Sequence, residues 1–194
     1  MHHSILTQIA RSFAEKGIDV LRFPFPYMQN LKSGERPTPD GDDVLAQRFV
    51  DVIDSFPNKK NVFIGGYSLG ARIAASICRR AKAPIRGLLA FSYPFHAKGV
   101  PSQKTGLATL LDAASPTLVI QGERDAFGNA PQIEGYSLPD DVNVHYLADA
   151  NHALIPREKS GHSAEILLEE ALLVAAHFIF DHSADGASPN ISLG

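Results

Sequence analysis

The chain has 194 residues, with 18 basic and 21 acidic side chains for a net charge of −3, and 44% of its residues are apolar against 20% charged. These are the proportions of one globular domain, long enough to bury a core without metal or disulfide staples, and they exclude a low-complexity chain. The mild acidity gives no electrostatic reason to expect nucleic acid or an anionic membrane as partner, and the lone Cys78 cannot form an internal bridge, which points to a reducing, cytoplasmic setting.

Ile5, Leu6, Ile9, Ala10 and Phe13 recur at helical spacing, and Gly17 closes that helix. Residues 1–16 lack a basic region followed by an apolar one, so no signal peptide is expected. Residues 18–23 read as a strand stopped by Pro24 and Pro26, and a polar loop runs from about Tyr27 to Asp40, of a length that usually serves function. Asp40 is placed to cap a helix in which Leu45, Phe49, Val52, Ile53 and Phe56 share one face, ended by Pro57. A strand over 61–65, a small-residue helix over about 69–81 and a strand over 85–91 come next. A loop holding Pro94 and Pro101 leads to a weak helix near 105–112. Strands over 117–121 and 142–147 follow, with a loop and one short helix between them. The strongest helix is expected over 162–180, with Leu167, Leu168, Ala171, Leu172, Ala175, Phe178 and Ile179 facing inward. Its apolar stretch from Leu172 to Phe180 is interrupted by His177 and is too short to span a bilayer. The small, polar residues 183–194 are expected to form a disordered tail. Alternating strands and helices specify a single α/β domain over 1–182, a three-layer α/β/α sandwich around a mainly parallel sheet of about five strands. In such sheets the chemistry gathers at the carboxyl ends of the strands.

At one of those ends stands Gly66-Tyr67-Ser68-Leu69-Gly70, a G-x-S-x-G between a strand and a helix. Glycines two residues either side of a serine relieve the clashes of a sharp strand-to-helix turn, and the helix aims its first amides where an oxyanion would form. A plainer reading is a glycine-rich turn that only lets helix and strand pack closely. No Gly-Lys-Ser/Thr follows, and the glycines do not fit G-x-G-x-x-G, so phosphate-loop and dinucleotide readings fail. A serine nucleophile needs a base steadied by an acid. Asp125 follows the strand over 117–121 and His152 the strand over 142–147, in the order Ser, Asp, His. Asp125 is favoured over Glu123 and Asp149 for the acid's part, with a turn residue or a helix cap as its plainer reading. Among the eight histidines, only His152 and His96 fall on loops at this edge. His145 is expected to pack within its strand, His162 and His177 lie on the last helix, and His2 and His3 are terminal. Cys78 reads as an inert buried thiol. No metal-ligand spacing occurs, and Arg72, Arg79, Arg80, Lys82 and Arg86 read as a solvated face.

With these residues in place, the sequence resembles the α/β-hydrolase superfamily, and more narrowly its small dienelactone-hydrolase-related group with testis-expressed and acetyltransferase-complex-subunit homologues. The segments that carry the likeness are GIDVLRFPFPYM, FIGGYSLGARIAA, LLAFSYPFH, LVIQGERDAFG and LADANHAL, spread over about residues 4–180. The resemblance implies a serine-hydrolase site of Ser68, Asp125 and His152, the Leu69 amide as an oxyanion donor, and no cofactor. Relatives also carry a further strand and a His-Gly loop ahead of the helix that begins here near Ser4. A chain shortened at its N-terminus is therefore expected. Its gap between strands 18–23 and 61–65 would leave backbone groups unpaired and give a weak push toward homodimerisation by strand pairing.

The expected activity is hydrolysis of a carboxylic ester or thioester of a small-molecule acyl substrate, with loops 27–40 and 92–106 bordering the acyl pocket and Tyr67, Phe95, His96 and Phe127 lining it. Neither nucleic acid nor membrane is expected as a partner. The rival expectation is a hydrolase-fold interaction protein whose triad is vestigial.

Overall fold

The computed structural model describes residues 4–29, 38–56, 60–82, 84–184 and 189–194. Its centre is a sheet of six parallel strands in the order β1-β6-β2-β3-β4-β5. These are β1 (Asp19–Arg22), β2 (Val62–Tyr67), β3 (Ile85–Phe91), β4 (Thr117–Gly122), β5 (Val142–Leu147) and β6 (Asn190–Leu193). The helices are α1 (Ser4–Glu15), α2 (Asp42–Asp54), α3 (Leu69–Ile77), α4 (Thr105–Asp112), α5 (Ala130–Glu134) and α6 (Ala164–His182).

The alternation of side chains along the inner strands sorts the core into two layers. Val62 and Ile64 of β2, Leu88 and Ala90 of β3 and Val119 of β4 pack with Leu45 and Phe49 of α2, Ile73 and Ile77 of α3 and Leu110 of α4. Phe63, Leu89, Phe91, Leu118 and Ile120 point the other way, against Ile9 and Phe13 of α1 and Leu167, Ala171 and Ile179 of α6. The sheet is thus covered on both faces, as near-continuous apolar strands require.

One end of the chain departs from expectation. Residues 190–193 were expected in a disordered tail; they form β6, a sixth strand in the sheet interior. β6 pairs with β1 from Asp19↔Asn190 to Arg22↔Leu193 and with β2 from Val62↔Asn190 to Gly65↔Leu193. All four residues are buried. The gap expected between residues 18–23 and 61–65 is therefore filled, and the unpaired groups of both neighbours are satisfied. Fully buried Asn61 anchors the segment. Its side chain donates to the Ala184 carbonyl at 3.2 Å and accepts from the Ala184 amide at 2.9 Å, while its own carbonyl accepts from the Asn190 amide at 2.9 Å. Residues 185–188 of that tail, residues 30–37 of the long loop, and Met1, His2 and His3 lie outside the described residues.

Asp40 also differs from its expected part. Gly41 is the residue that precedes α2, and the Asp40 carboxylate instead accepts from the Tyr27 amide at 2.8 Å. That bond ties Asp40 to the far end of the long loop, where a half-buried amide takes the carboxylate as its acceptor while the start of α2 is exposed to water.

Candidate active site

β2 delivers the chain to the carboxyl edge of the sheet, and α3 begins two residues beyond Tyr67. Ser68 sits between them at φ 53°, ψ −113°, a conformation that costs a non-glycine residue about 1–3 kcal/mol. A Cβ on residue 66 would stand 2.5 Å from the Gly70 carbonyl carbon and 2.7 Å from the Ala71 nitrogen. One on residue 70 would meet the Gly194 oxygen at 2.1 Å. Only glycine fits at either place. The Ser68 amide donates to Phe91 of β3 at 2.9 Å and its carbonyl accepts from Arg72 of α3 at 3.2 Å, so the turn is held from both sides. Leu69 opens α3, where the first amides have no partner within the helix.

The loop beyond β5 carries His152. Asn151 shapes it by accepting from the amides of Ala153 at 2.8 Å and Ile155 at 3.2 Å. Asp149, at φ 54°, accepts from the Arg157 amide at 2.9 Å, from the Arg157 guanidinium, and from Arg124 Nε at 2.9 Å. The hydrogen bonds from Arg157, with the nearby charges of Arg124 and Arg157, hold the Asp149 carboxyl down at about 2. The Asp149 amide in turn donates to Glu123 at 2.7 Å. Glu123 and Asp149, the rival acids, thus clamp the histidine loop to the segment after β4.

That segment ends in Asp125, fully buried. Oδ2 accepts from His152 Nδ1 at 2.7 Å and from Gln121 Nε2 at 3.0 Å, and Oδ1 accepts from the Phe127 amide at 2.8 Å. The last bond makes Asp125 a turn residue, and the same carboxylate faces the His152 ring. On the far side of the ring, His152 Nε2 lies 2.9 Å from Ser68 Oγ. A carboxylate on Nδ1 fixes the tautomer that turns the Nε2 lone pair toward the hydroxyl. The Phe127 ring lies 4.4 Å from the imidazole and Tyr67 5.7 Å, centroid to centroid, and the Tyr67 hydroxyl donates to the His152 carbonyl at 2.5 Å. Burial pushes the Tyr67 phenol up, which keeps it a neutral donor.

The structure brings Ser68, Leu69, Asp125, His152, Tyr67 and Phe127 together, but not Phe95 or His96. Phe95 is fully buried against Tyr93 at 5.1 Å and Tyr136 at 5.9 Å. His96 is buried too, with Nδ1 2.9 Å from the Ala97 carbonyl and Nε2 3.1 Å from Gln132 Oε1. The loop over 92–106 packs down because Gly106 lets α4 touch the Pro94 backbone and because Tyr93 donates to the Gly106 carbonyl at 2.9 Å. Its aromatic residues serve the core. An open cavity of about 220 Å3 adjoins the elbow instead. Phe23, Phe25, Tyr27 and Met28 wall it, and Tyr67, Leu69 and Gly70 bring it to both flanks of Ser68. Phe23 and Phe25 went unassigned in the sequence, although an aromatic run just past a strand's carboxyl end is the signal for them.

Several other candidates have partners or surroundings of their own. His145 pairs with Glu170 of α6 at 2.7 Å. Arg72 makes a two-pronged pair with Asp42 at 2.6 and 2.8 Å, and Arg79 and Arg80 pair with Asp112 and Asp43. Burial pushes the Cys78 thiol up to about 12. Among the described residues, no three His, Cys, Asp or Glu side chains group as a metal-ligand set, and no helix is long and apolar enough to cross a membrane.

Residues 1–180 match the family model described as an alpha/beta hydrolase domain. An alpha-beta serine hydrolase homologue from Coxiella burnetii is similar in structure, with a TM-score of 0.61 and 19% identity over 93% of this chain and 76% of that one. An esterase from Pyrococcus furiosus superposes with a TM-score of 0.65 and 18% identity over 92% and 77% of the two chains. At such identities the likeness shows a shared fold.

Proposed function

Because the chain belongs to the alpha/beta hydrolase domain family, we propose that it is a serine hydrolase that cleaves a carboxylic ester or thioester through an acyl-enzyme. The observation that carries this reading is the continuous chain of hydrogen bonds from buried Asp125 through His152 to a serine held at a strained elbow. His152 Nε2 takes the Ser68 proton as Oγ bonds to the substrate carbonyl carbon. Negative charge then grows on the carbonyl oxygen, beside the Leu69 amide at the positive end of α3. Collapse of that intermediate breaks the bond to the alcohol or thiol, which leaves with the proton from His152. Water repeats the sequence to release the acid and restore Ser68.

The cavity against Tyr67 and Leu69 suits the acyl group, and the Phe127 side of the imidazole suits the leaving group. At roughly 30 Å3 per water-sized group, about 220 Å3 holds a chain of about seven carbons. The substrate class that follows from this reading is an ester or thioester of an apolar acid of short to medium length.

Labelling by a fluorophosphonate, which requires only an activated serine, tests the reading. Parent protein is expected to label and Ser68→Ala to remain unlabelled, with p-nitrophenyl esters turned over best near six to eight carbons. A folded parent that neither labels nor hydrolyses these esters would favour the interaction-protein alternative.

A further inference from the structure

α6 carries an apolar stripe on the side it turns away from the sheet. Ile166 is 64% exposed, Leu173 51% and Phe180 47%, each seven residues from the next. At 3.6 residues per turn, that spacing stacks the three along one line of the helix. Leu167, Ala171, Ala175 and Ile179 bury the opposite side, and on the outer face the three apolar residues alternate with the exposed Glu165, Glu169, His177 and Asp181. Glu169 and His177 are exposed on the same line, four residues before and four after Leu173. Beside the stripe a groove of about 490 Å3 runs between α1 and α6, with Gln8, Arg11 and Ser12 followed by Glu15 and Lys16 on one wall and Glu169, Leu172 and Leu173 on the other.

We propose that this face is a homodimer interface, in which α6 packs antiparallel against α6 of a second copy about a two-fold axis at Leu173. The spacing of the stripe selects that partner and that direction. An antiparallel pair centred on Leu173 sets Ile166 opposite the partner's Phe180, Leu173 opposite the partner's Leu173, and Glu169 opposite the partner's His177. Every apolar residue meets an apolar one, and the symmetry supplies the carboxylate–imidazole contact twice. A parallel pair would set Glu169 against the partner's Glu169. Each copy offers both a ridge and the adjoining groove, the self-complementarity that a two-fold interface demands. The carboxylates of Glu165, Glu169 and Asp181 around the stripe disfavour an anionic membrane as the occupant. The dyad lies on the helical face of α1 and α6, away from the strand ends that carry Ser68, so both sites stay open.

One helix pair with its flanking grooves is at the small end of specific interfaces, so dissociation is expected in the range of about 1–100 µM. Sedimentation of the full chain across that range should show the mass rising from 21.0 kDa toward twice that value. Leu173→Glu should remain monomeric throughout. Glu169→Arg and His177→Glu should each weaken association about tenfold or more, and the two together should restore it. That exchange decides the matter if Leu173→Glu fails to fold. A parent that stays monomeric at 100 µM, a dimer indifferent to Leu173→Glu, or a double variant no better than the single ones would overturn the proposal.

Discussion

Replacing Ile191 by alanine separates a strand in the sheet interior from a frayed terminus. Ile191 is fully buried in β6, paired in register with Val20 on one side and Phe63 on the other, and packed in the layer formed by α1 and α6. The substitution removes two methylene-sized groups and a branch. At about 0.8 kcal/mol per buried carbon, transfer to water alone accounts for about 2 kcal/mol. The cavity left in a layer held by Phe13, Phe63 and Leu193 brings the expected loss to about 3 kcal/mol, within the usual range for such truncations. For a chain of this length, 3 kcal/mol lowers Tm by about 6–12 °C. Urea and thermal unfolding followed by circular dichroism measure the effect. Leu111→Ala serves as the control, since Leu111 is 41% exposed and its loss should stay within about 0.5 kcal/mol. If Ile191→Ala also falls within about 0.5 kcal/mol of the parent, β6 does not occupy the centre of the sheet in solution, and the wall that Leu193 gives the cavity goes with it.

Three further outcomes follow from the site and its surroundings. Asp125→Asn keeps the shape but removes the charge that orients His152, so kcat for ester hydrolysis should fall by roughly 10^4-fold with little change in KM; a loss below tenfold would remove Asp125 from the mechanism. The Asp149 carboxyl is held down at about 2 in the folded chain, so its stabilising contribution is complete above the ordinary value of 3.8 and fades as pH falls toward 2. The difference in urea midpoint between the parent and Asp149→Asn should therefore be flat from pH 7 to about 4 and shrink below that, whereas a difference that widens on acidification would contradict the clamp. Cys78, with its thiol pushed up to about 12, should react with iodoacetamide at pH 8 about 10^3-fold more slowly in the folded chain than in urea, and equal rates would show that the thiol is not buried.

What could be read in the sequence was whatever a short stretch of chain decides by itself. The G-x-S-x-G between a β-branched run and a small-residue helix specifies much of its own geometry, because Gly66 answers a clash with Gly70 and Ala71 that arises within five residues, whereas Gly70 makes room for Gly194 at the far end of the chain. Asp125 and His152 followed from strand ends in a parallel sheet, a rule of topology that needs no detail of packing. Phe95 and His96 were misread for the complementary reason. Both stand on a loop at the correct edge, but whether such a loop lines a cleft or folds into the core depends on contacts remote in the chain. Here those contacts are Gly106 against Pro94 and Gln132 against His96.

β6 is the extreme of that dependence. Four residues, Asn190-Ile191-Ser192-Leu193, carry too little periodicity to announce a strand, and the polar residues around them weigh toward disorder. Their structure comes from a demand elsewhere. β1 and β2 lie two strand widths apart and each presents a row of amides and carbonyls to the space between them. Hydrogen bonds cannot close across that distance, and water admitted there would open the two apolar layers that the sheet divides. Any extended segment tethered nearby with apolar residues at alternate positions relieves both costs at once. Ile191 and Leu193 are spaced for the layer of α1 and α6, and Asn61 grips the chain on either side of residues 185–188. The edges thus specify where the segment pairs, and the segment supplies an extended backbone and two apolar side chains. Substitutions that keep β6 extended and leave Ile191 and Leu193 intact should accordingly be tolerated, while the same changes in β2 or β3 should not.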